Sequence, residues 1–357
     1  MKIAIVSDPL TEFGGEQRVL EVLHEMFPRA PVYTGMLDLA NMPERFAGWD
    51  VRVPHPRLSA FLKKTKLRSL RLALIFVYQR LDLSRYDLVI SSGTFFAKAV
   101  RAKKHLAYIH TPPRFLYGFE TSGGMRQKPL LRLFLAPLDH ILRLWDYTVV
   151  RNVRFLVCNS ETVRSRIKKF YAREAVIVHP PVGLGKYISQ PTGDYFLVVS
   201  RLERYKNVDL AIQACNLIGC HLIVAGKGLE EKYLKSIAGQ TVEFLGFVGD
   251  EGLGKLFARA KAFIFPIKDE DFGITPVEAQ SFGCPVVAHR SGGALETVIE
   301  GKTGEFFNEL TPESLAETLK NFNPAKYKES DLTGNAGRFS KEVFIKKMKA
   351  IIAKTYA

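Results

Sequence analysis

The sequence predicts an α/β protein made of two doubly wound parallel-sheet domains, and three observations predict it. The chain has 357 residues, a length that favours two domains of ordinary size. Short, continuous apolar runs alternate with helical patterns from end to end, as in parallel strands that helices cover on both faces. A segment rich in Gly and Pro, residues 179–194, interrupts this alternation near the middle of the chain.

The predicted strands form two series, one before the interrupting segment and one after it. Each strand is a short run rich in Val, Ile, Leu or Phe that is bounded by turn residues. The first series is 2–7, 31–34, 87–91, 105–110, 154–158 and 175–179, and the second is 195–200, 220–225, 242–245, 262–265 and 285–289.

The Gly- and Pro-rich segment is the natural domain boundary. We therefore predict an N-terminal, basic domain over 1–185 and a C-terminal domain over 186–340. The final helical stretch, 341–357, belongs to either domain on sequence grounds, and packing back on the N-terminal domain is one of the two outcomes.

Composition excludes several classes of protein. Hydrophobic residues make up 47% and charged residues 24% of the chain, which are globular values. No run approaches the 18 apolar residues of a membrane-spanning helix, and a strand-like run at 2–7 stands where a signal peptide would. These features predict a cytoplasmic protein. The four cysteines lie in apolar segments without a C-x-x-C pair, as reduced core residues do.

The positive charge is concentrated in the first half of the chain. Residues 1–185 carry a net charge of +14, whereas residues 186–357 carry +1. Such a basic half suits an anionic partner, which is a nucleic acid, a membrane surface or a phosphorylated acceptor. The basic segment 58–81 has two open interpretations: an interfacial helix, or a helix packed on the core with a solvated basic face.

Polar residues and glycines gather where the predicted strands end. In open parallel sheets, ligands bind beyond the carboxyl ends of the strands. Two such edges facing each other would form a cleft. The residues at these ends are Asp8, Gly14, Gly15, His110, Asn159 and Ser160 in the first domain, and Ser200, Arg201, Gly226, Gly228 and the run Asp269–Asp271 in the second.

Three familiar signatures are absent. The dinucleotide fingerprint that Gly226 and Gly228 begin has Glu231 in place of its third glycine. A P-loop ending at Thr303 would need a glycine where Glu296 stands. No G-x-S-x-G elbow provides a nucleophile for acyl transfer.

A phosphate site is nevertheless predicted after the strand 262–265. Thr275 is predicted as a helix N-cap, with Pro276 at the first helical position and Glu278 completing a capping box. The free N–H groups of such a helix, after a flexible Gly273, bind anions. A capping box alone also explains Thr275 and Glu278, so both roles are open.

Two cations precede a second predicted helix start. Arg201 and Lys206 come just before a helix that begins near Asn207, where positive charge opposes the helix dipole. A diphosphate bound between the cations and the helix start would make this interaction favourable. The alternative is that both are ordinary surface charges.

Several motifs together resemble those of the family-4 retaining glycosyltransferases. The resemblance is close throughout the second domain and thinner in the first. It implies the GT-B fold, in which two Rossmann-like domains face a cleft, and transfer of a sugar from a nucleotide diphosphate without a metal. The N-terminal domain, 1–185, would bind the acceptor, and the C-terminal domain, 186–340, would bind the nucleotide-sugar donor. The motifs are SRLERYKN, GKGLEEKYL, FLGFV, EDFGITPVEAQSFGCPVVA and GGALETV, with GGEQRVLEVL, HTPPRF and NSETV in the first domain.

The resemblance also implies roles for individual residues. The paired-glutamate motif of the family falls on Glu270, which would hold hydroxyls of the donor sugar, and on Glu278, which would hold the ribose. Arg201 and Lys206 would bind the diphosphate. The remaining positions are His110 near the donor sugar as a catalytic residue with Glu270, Gly15 against the phosphate, and Phe272, Gly273, Ile274 and Thr275 in donor binding.

The expected function is therefore a retaining, mannosyltransferase-like hexosyltransferase. It would use a nucleotide diphosphate sugar as substrate, no metal and no cofactor, and a glycan or polyisoprenyl-diphosphate-linked acceptor for surface polysaccharide or glycolipid. Its expected location is cytoplasmic, peripheral at the inner face of the cell membrane. Two alternatives are a sugar-nucleotide epimerase or phosphorylase of the same fold and, more remotely, a nucleic-acid-binding protein. Asp269 and Asp271 also form a D-x-D pattern, which is the metal-dependent alternative.

Overall fold

The computed structural model describes residues 1–65, 68–119, 129–185 and 193–356. The chain divides into two compact units. Of the described residues, the first unit holds those up to Pro181 together with the helix that begins at Lys341, and the second unit holds Val182–Ser340.

The first unit is built on a parallel sheet of seven strands in the order β3-β2-β1-β4-β5-β6-β7. Every residue of β1, β4 and β5 is buried, because helices cover both faces of the sheet. The strands are β1 Ile3–Ser7, β2 Val32–Thr34, β3 Val51–Arg52, β4 Leu88–Gly93, β5 His105–Ile109, β6 Phe155–Cys158 and β7 Val176–Ile177.

Five helices of the first unit connect these strands. The described residues of the segment 58–81 form the end of α2, a 3₁₀ turn and α3, and they bury Leu62, Leu74 and Val77 in the core. One side of this segment therefore packs on the core, whereas Phe61 and Phe76 are exposed. The helices are α1 Gly15–Met26, α2 Pro56–Lys64, α3 Leu74–Arg80, α4 Pro129–Arg151 and α5 Glu161–Tyr171.

The second unit has a parallel sheet of six strands in the order β10-β9-β8-β11-β12-β13. One apolar layer lies on each face of this sheet. Its strands are β8 Phe196–Val199, β9 Leu222–Ala225, β10 Val242–Gly246, β11 Ala262–Phe265, β12 Val286–His289 and β13 Gly304–Phe307. Its helices are α6 Val208–Ile218, α7 Glu231–Ile237, α8 Asp250–Arg259, α9 Ile274–Ser281, α10 Ala294–Thr297, α11 Pro312–Lys320 and α12 Glu329–Gly337.

A last helix, α13 (Lys341–Tyr356), returns to the first unit after the second unit is complete. Phe344, Met348 and Ile352 recur at helical spacing and are buried in the same core as Ile5 and Ile90 of β1 and β4. The core of the first unit is thus made from both ends of the described chain.

All eleven predicted strands are present within one or two residues of their expected bounds, and β3 and β13 are additional. Three of the four cysteines are buried, and none of the four is in a disulfide. In the part of the chain that the structure describes, no helix has the length and apolar character needed to cross a membrane.

Candidate active site

The candidate site of the second unit lies at the point where the strand order reverses. β8 and β11 are neighbours in the sheet, but the helices that follow them pack in different apolar layers, α6 with one and α9 with the other. A crevice opens between the carboxyl ends of two such strands, which is the usual ligand site of this type of sheet. The loops that border it are 200–207 after β8 and 266–273 after β11.

A lysine and a glutamate meet across this crevice. Lys206 Nζ lies 2.7 Å from Glu270 Oε2, and their side chains are only 14% and 20% exposed. The Lys206 ammonium also lies 4.8 Å from the centre of the Tyr205 ring. The Tyr205 hydroxyl accepts a 3.3 Å hydrogen bond from Arg201. The structure therefore brings Arg201, Lys206 and Glu270 together.

Asn207 joins the two loops. It has a left-handed backbone, with φ of 51°, at the N-cap of α6. Its side-chain Nδ2 donates a 3.1 Å hydrogen bond to the carbonyl oxygen of Pro266. The sequence pattern indicates only a helix start near Asn207, and this connection also needs the tolerance of asparagine for left-handed φ.

Two glycines bring the loop after β9 against the loop after β8. A Cβ on Gly226 would overlap the Ser200 carbonyl, and one on Gly228 would overlap the Leu202 backbone. Leu202 N–H in turn donates a 3.0 Å hydrogen bond to the Lys227 carbonyl. The motif that begins like a dinucleotide fingerprint therefore supports the loop that carries Arg201 and Lys206.

The acidic loop is held by the segment that follows β12. Asp269 has φ of 53°, and its N–H donates a 3.0 Å hydrogen bond to Ser291 Oγ. The Glu270 carbonyl accepts a 2.8 Å hydrogen bond from Gly293 N–H. A Cβ on Gly292 would lie 2.5 Å from that same carbonyl oxygen. Gly292 and Gly293 begin the GGALETV motif, but the motif by itself does not indicate that they position the Glu270 loop.

The predicted capping box of α9 is wrong. Gly273, with φ of 90°, is the N-cap, and α9 begins at Ile274 without a side-chain cap. The left-handed turn at Gly273 ends the loop two residues earlier than expected, so Thr275 already has helical backbone and cannot cap. The N–H groups of Gly273, Ile274 and Thr275 precede the first intrahelical hydrogen bond and are suited to an anion.

Phe272 and Glu278 differ in what they present to a ligand. The Phe272 side chain is 3% exposed and packs 5.3 Å from the Phe339 ring, within an apolar cluster. Its side chain is part of the core, so only its backbone is placed to contact a donor. Glu278 lies on α9, one turn beyond the helix start, and is half-buried.

In the first unit, the corresponding reversal point lies between β1 and β4. Asp8 follows β1, and its carboxylate accepts hydrogen bonds of 2.7–2.9 Å from four consecutive N–H groups, those of residues 94–97. Asp8 therefore holds the loop after β4. Gly15 is the first residue of α1, with Gly14 as its N-cap, and it is exposed.

His110 immediately follows β5 and is buried. Its Nε2 lies 2.9 Å from Ser92 Oγ, and its carbonyl accepts a 2.9 Å hydrogen bond from Asn159 Nδ2. Burial lowers the pKa of His110 to about 3, because the site disfavours the charged imidazolium. The ring is thus neutral near pH 7 and serves as a hydrogen-bonding group.

A protein-family model matches residues 185–338, and its description is "Glycosyl transferases group 1". This part of the chain is therefore similar to the group 1 glycosyl transferases. The matched range covers nearly all of the second unit, including every candidate residue from Arg201 to Glu278.

Curated relatives of this chain include two kinds of enzyme. The human (Homo sapiens) alpha-1,3/1,6-mannosyltransferase ALG2 is 29% identical over 320 residues, which cover 77% of this chain and 74% of that protein. The glycogen synthase of Xanthomonas campestris pv. campestris (strain 8004) is 34% identical over 143 residues, which cover 37% of this chain and 30% of that protein.

Solved structures match this chain over nearly its whole length. Anabaena Alr3699/HepE, solved in complex with UDP, has a TM-score of 0.72 at 18% identity, with 99% of this chain and 100% of that chain covered. The sucrose-phosphate synthase of Thermosynechococcus elongatus has a TM-score of 0.75 at 15% identity, with 100% and 99% covered. This likeness confirms the predicted GT-B fold class.

The second unit combines two kinds of group. The cations of Arg201 and Lys206 and the N–H groups at the start of α9 favour a phosphate or diphosphate. The Glu270 carboxylate accepts hydrogen bonds and matches hydroxyl donors. Among the described residues, no three His, Cys, Asp or Glu side chains converge as metal ligands do.

Proposed function

We propose that this glycosyltransferase transfers a hexose, with mannose favoured, from a nucleotide diphosphate sugar to a glycan or a polyisoprenyl-diphosphate-linked acceptor. The product would enter surface polysaccharide or glycolipid. The ion pair between Lys206 and Glu270 carries this proposal, because it brings a phosphate-binding group and a hydroxyl-binding group to one crevice. The human mannosyltransferase relative supports mannose, and the UDP complex of the Anabaena structure supports a nucleotide donor.

The proposed roles follow from charge. Arg201 and Lys206 bind the diphosphate of the donor and stabilise the negative charge that develops on it as the sugar leaves. Glu270 accepts hydrogen bonds from hydroxyls of the sugar, and Glu278 from those of the ribose. Gly15, Gly273, Ile274 and Thr275 offer backbone to the donor, and Phe272 joins them through its backbone. Binding of the donor would replace the contact between Lys206 and Glu270 with two contacts to the ligand.

We further propose that the sugar keeps its anomeric configuration. The acceptor would attack on the face from which the phosphate leaves, and the phosphate would guide the acceptor hydroxyl. His110 would contact the donor sugar as a neutral hydrogen-bonding group, in keeping with its lowered pKa of about 3.

Metal independence is part of the proposal. Side chains and helix N–H groups would meet the charge of the diphosphate without a divalent cation. Transfer is therefore expected to survive exhaustive treatment with EDTA. Loss of activity on chelation, with recovery on addition of Mn²⁺, would contradict this and favour a metal role for Asp269 and Asp271.

The basic first half of the chain favours a location at the cytoplasmic face of the membrane. An anionic leaflet attracts basic residues by ~1 kcal/mol each near its surface. Residues 1–185 carry +14, so reversible peripheral attachment would follow without any membrane-spanning helix. A polyisoprenyl-diphosphate acceptor is itself anionic and membrane-bound, so one basic surface would serve both.

Two measurements test the proposed reaction. Each tight ligand raises stability by RT ln(1 + [L]/Kd), so a thermal-shift screen of nucleotide sugars is expected to single out the donor. Product analysis with and without acceptor then separates transfer from the epimerase and phosphorylase alternatives. Conversion of the donor without an acceptor, to an epimer or to a sugar phosphate, would overturn the proposed transfer.

A further inference from the structure

The first unit contains a cavity at the sheet edge opposite its candidate catalytic residue. The cavity has a volume of about 670 Å³ and lies between α3, the segment 98–103, the start of β5 and the end of α4. His105, the first residue of β5, lines it, whereas His110 follows the last residue. The five residues of β5 span roughly 17 Å. This cavity is therefore separate from the candidate donor site.

Three cations border this cavity. Arg80, Arg101 and Lys103 line it, and all three are exposed. Their side chains form no ion pair or hydrogen bond with any residue in the described ranges. Lys98 also lines the cavity, but its charge is balanced by Asp146 at 2.7 Å. Asp82 interacts electrostatically with both Arg101 and Lys103, and its carboxylate accepts hydrogen bonds from Ser84. The cavity therefore has a net positive border.

A buried donor also points to a ligand here. Trp145 lines the cavity, and its indole Nε1 is buried without a hydrogen-bond acceptor among the described residues. A buried N–H without an acceptor costs about 1–3 kcal/mol, and an anionic oxygen in the cavity would supply one. Burial also lowers the pKa of His105 to about 4, so the charge around the cavity comes from the arginines and lysines.

The surface next to the cavity is apolar and faces water. Phe76 of α3 lines the cavity and is 62% exposed. On α4, Ile141 and Phe134 lie one and three turns before Trp145 on the same helix face, and they are 62% and 81% exposed. An exposed apolar stripe that leads to a cation-bordered cavity matches a molecule with an anionic head and apolar chains.

We propose that this cavity binds the phosphate headgroup of an anionic phospholipid, while the exposed apolar side chains of α3 and α4 enter the adjoining acyl-chain region. The inference rests on the membrane location in the proposed function and names the contact that produces it. A free phosphate would satisfy the cations and the Trp145 N–H but would leave the apolar stripe in water. A nucleic acid would likewise leave Phe134 and Ile141 exposed.

The test compares two variants of the full chain that lose the same charge. Arg80→Gln/Arg101→Gln alters the cavity, and the control Arg57→Gln/Lys64→Gln alters exposed cations of α2 outside it. Binding to phosphatidylcholine vesicles with phosphatidylglycerol is measured by co-sedimentation, with pure phosphatidylcholine as reference. We expect about fivefold weaker binding per cavity charge, which corresponds to ~1 kcal/mol each, and little change in the control. Equal losses in both variants would mean diffuse attraction and would overturn the headgroup site.

Further arms identify the source of the phosphate. Trp145→Phe keeps the apolar ring and removes the donor, so it is expected to weaken only the binding that depends on phosphatidylglycerol. Phe134→Ser/Ile141→Ser is expected to weaken vesicle binding and to leave binding of glycerol phosphate unchanged. Unchanged vesicle binding in that variant would reduce the cavity to a soluble-anion site and overturn the lipid proposal. Tighter binding to plain duplex DNA than to the vesicles would overturn it as well.

No donor or acceptor takes part in these measurements. Calorimetric binding of a nucleoside diphosphate to Arg80→Gln/Arg101→Gln reports on the second unit separately. Failure of lipid binding with intact nucleotide binding would count against the cavity alone. Failure of nucleotide binding in the wild type would count against the proposed transfer.

Discussion

Lys206 and Glu270 contact each other in the second unit, although each is proposed to contact a different part of one donor. The contact is 2.7 Å long, and both side chains are largely shielded from water. In the proposed donor complex, an anionic diphosphate would have to separate this pair to bind Lys206 and would lie near the Glu270 carboxylate. The ion pair would therefore weaken the binding of a diphosphate alone and favour a ligand that also carries hydroxyl groups.

This competition gives opposite predictions for the two members. Glu270→Gln removes the carboxylate that holds Lys206, so we expect tighter binding of a nucleoside diphosphate and much slower sugar transfer. Lys206→Met removes a charge-assisted hydrogen bond worth ~1.5–3 kcal/mol, so we expect diphosphate affinity to fall by roughly 10- to 100-fold. Both residues lie on loops, so melting temperatures should change little. Titration calorimetry and initial rates measure these effects.

The control for this pair is Glu251→Gln. This substitution breaks an exposed ion pair between Glu251 and Lys255 on α8, whose length of 2.8 Å is similar. It should change neither the diphosphate affinity nor the rate of sugar transfer. Weaker diphosphate binding in Glu270→Gln would contradict the competition. Near-normal transfer in that variant would remove Glu270 from the site.

Two buried histidines predict how stability depends on pH. Burial lowers the pKa of His105 to about 4 and that of His110 to about 3, against about 6.5 in the unfolded chain. Below pH 6.5 the unfolded chain binds protons that the folded chain does not, so the free energy of unfolding falls as pH falls. Each histidine contributes at most ~1.4 kcal/mol per pH unit in this window.

His105→Gln removes one of the two titrating imidazole groups and retains a hydrogen-bonding side chain beside Ser91. We expect its free energy of unfolding to fall less steeply than that of the wild type between pH 6.5 and about 4. Urea unfolding at several pH values measures the two slopes. Parallel curves for the two proteins would show that His105 is not buried in its neutral form.

At the scale of elements, the loop after β12 positions the loop that carries Glu270. Gly293→Ala would place a Cβ against the Phe272 backbone, and the two loops would have to separate. We expect transfer to fall by at least tenfold, since small displacements of binding groups cost about that much or more. The control is Gly334→Ala in α12, where a Cβ meets no atom and helix propensity improves. Equal activity of both variants would contradict the positioning role.

Apolar runs were sufficient to predict eleven strands, because parallel strands buried on both faces are continuous in sequence. They were insufficient for β3, which has two residues, and for β13, whose Gly304 and Glu305 break the apolar run. Local patterns were also sufficient to predict that Lys206 and Glu270 lie at the same edge of the second sheet. They could not reveal that Gly292 and Gly293 clamp Glu270 or that Asn207 reaches Pro266, since these contacts join distant parts of the chain.

The start of α9 shows a different limit of local patterns. Thr275, Pro276 and Glu278 have the spacing of a capping box, but Gly273 adopts a left-handed backbone and starts the helix two residues earlier. A glycine can adopt positive or negative φ at similar cost, so the local sequence does not reveal which sign the fold selects. The sign of φ at such glycines depends on the residues that pack around the loop.

For the whole molecule, α13 is a structural part of the first unit. Phe344 is fully buried in the core of that unit, with its ring 5.9 Å from the Tyr108 ring. Phe344→Ala is expected to destabilise the first unit by ~3–5 kcal/mol. Hydrogen exchange should accelerate in β1, β4 and β5, and the exposed Lys347→Ala serves as control. Unchanged exchange in these strands would show that α13 does not complete this core.

The return of α13 has a consequence for how the protein folds during its synthesis. The ribosome makes the seven strands of the first unit early, but their core lacks Phe344, Met348 and Ile352 until the end of α13 emerges. The second unit, Val182–Ser340, is translated in between. At about 5–20 residues per second, this delay lasts on the order of 10–30 seconds. The nascent first unit exposes apolar surface for that time, so the unit that starts first should be the last to acquire its native stability.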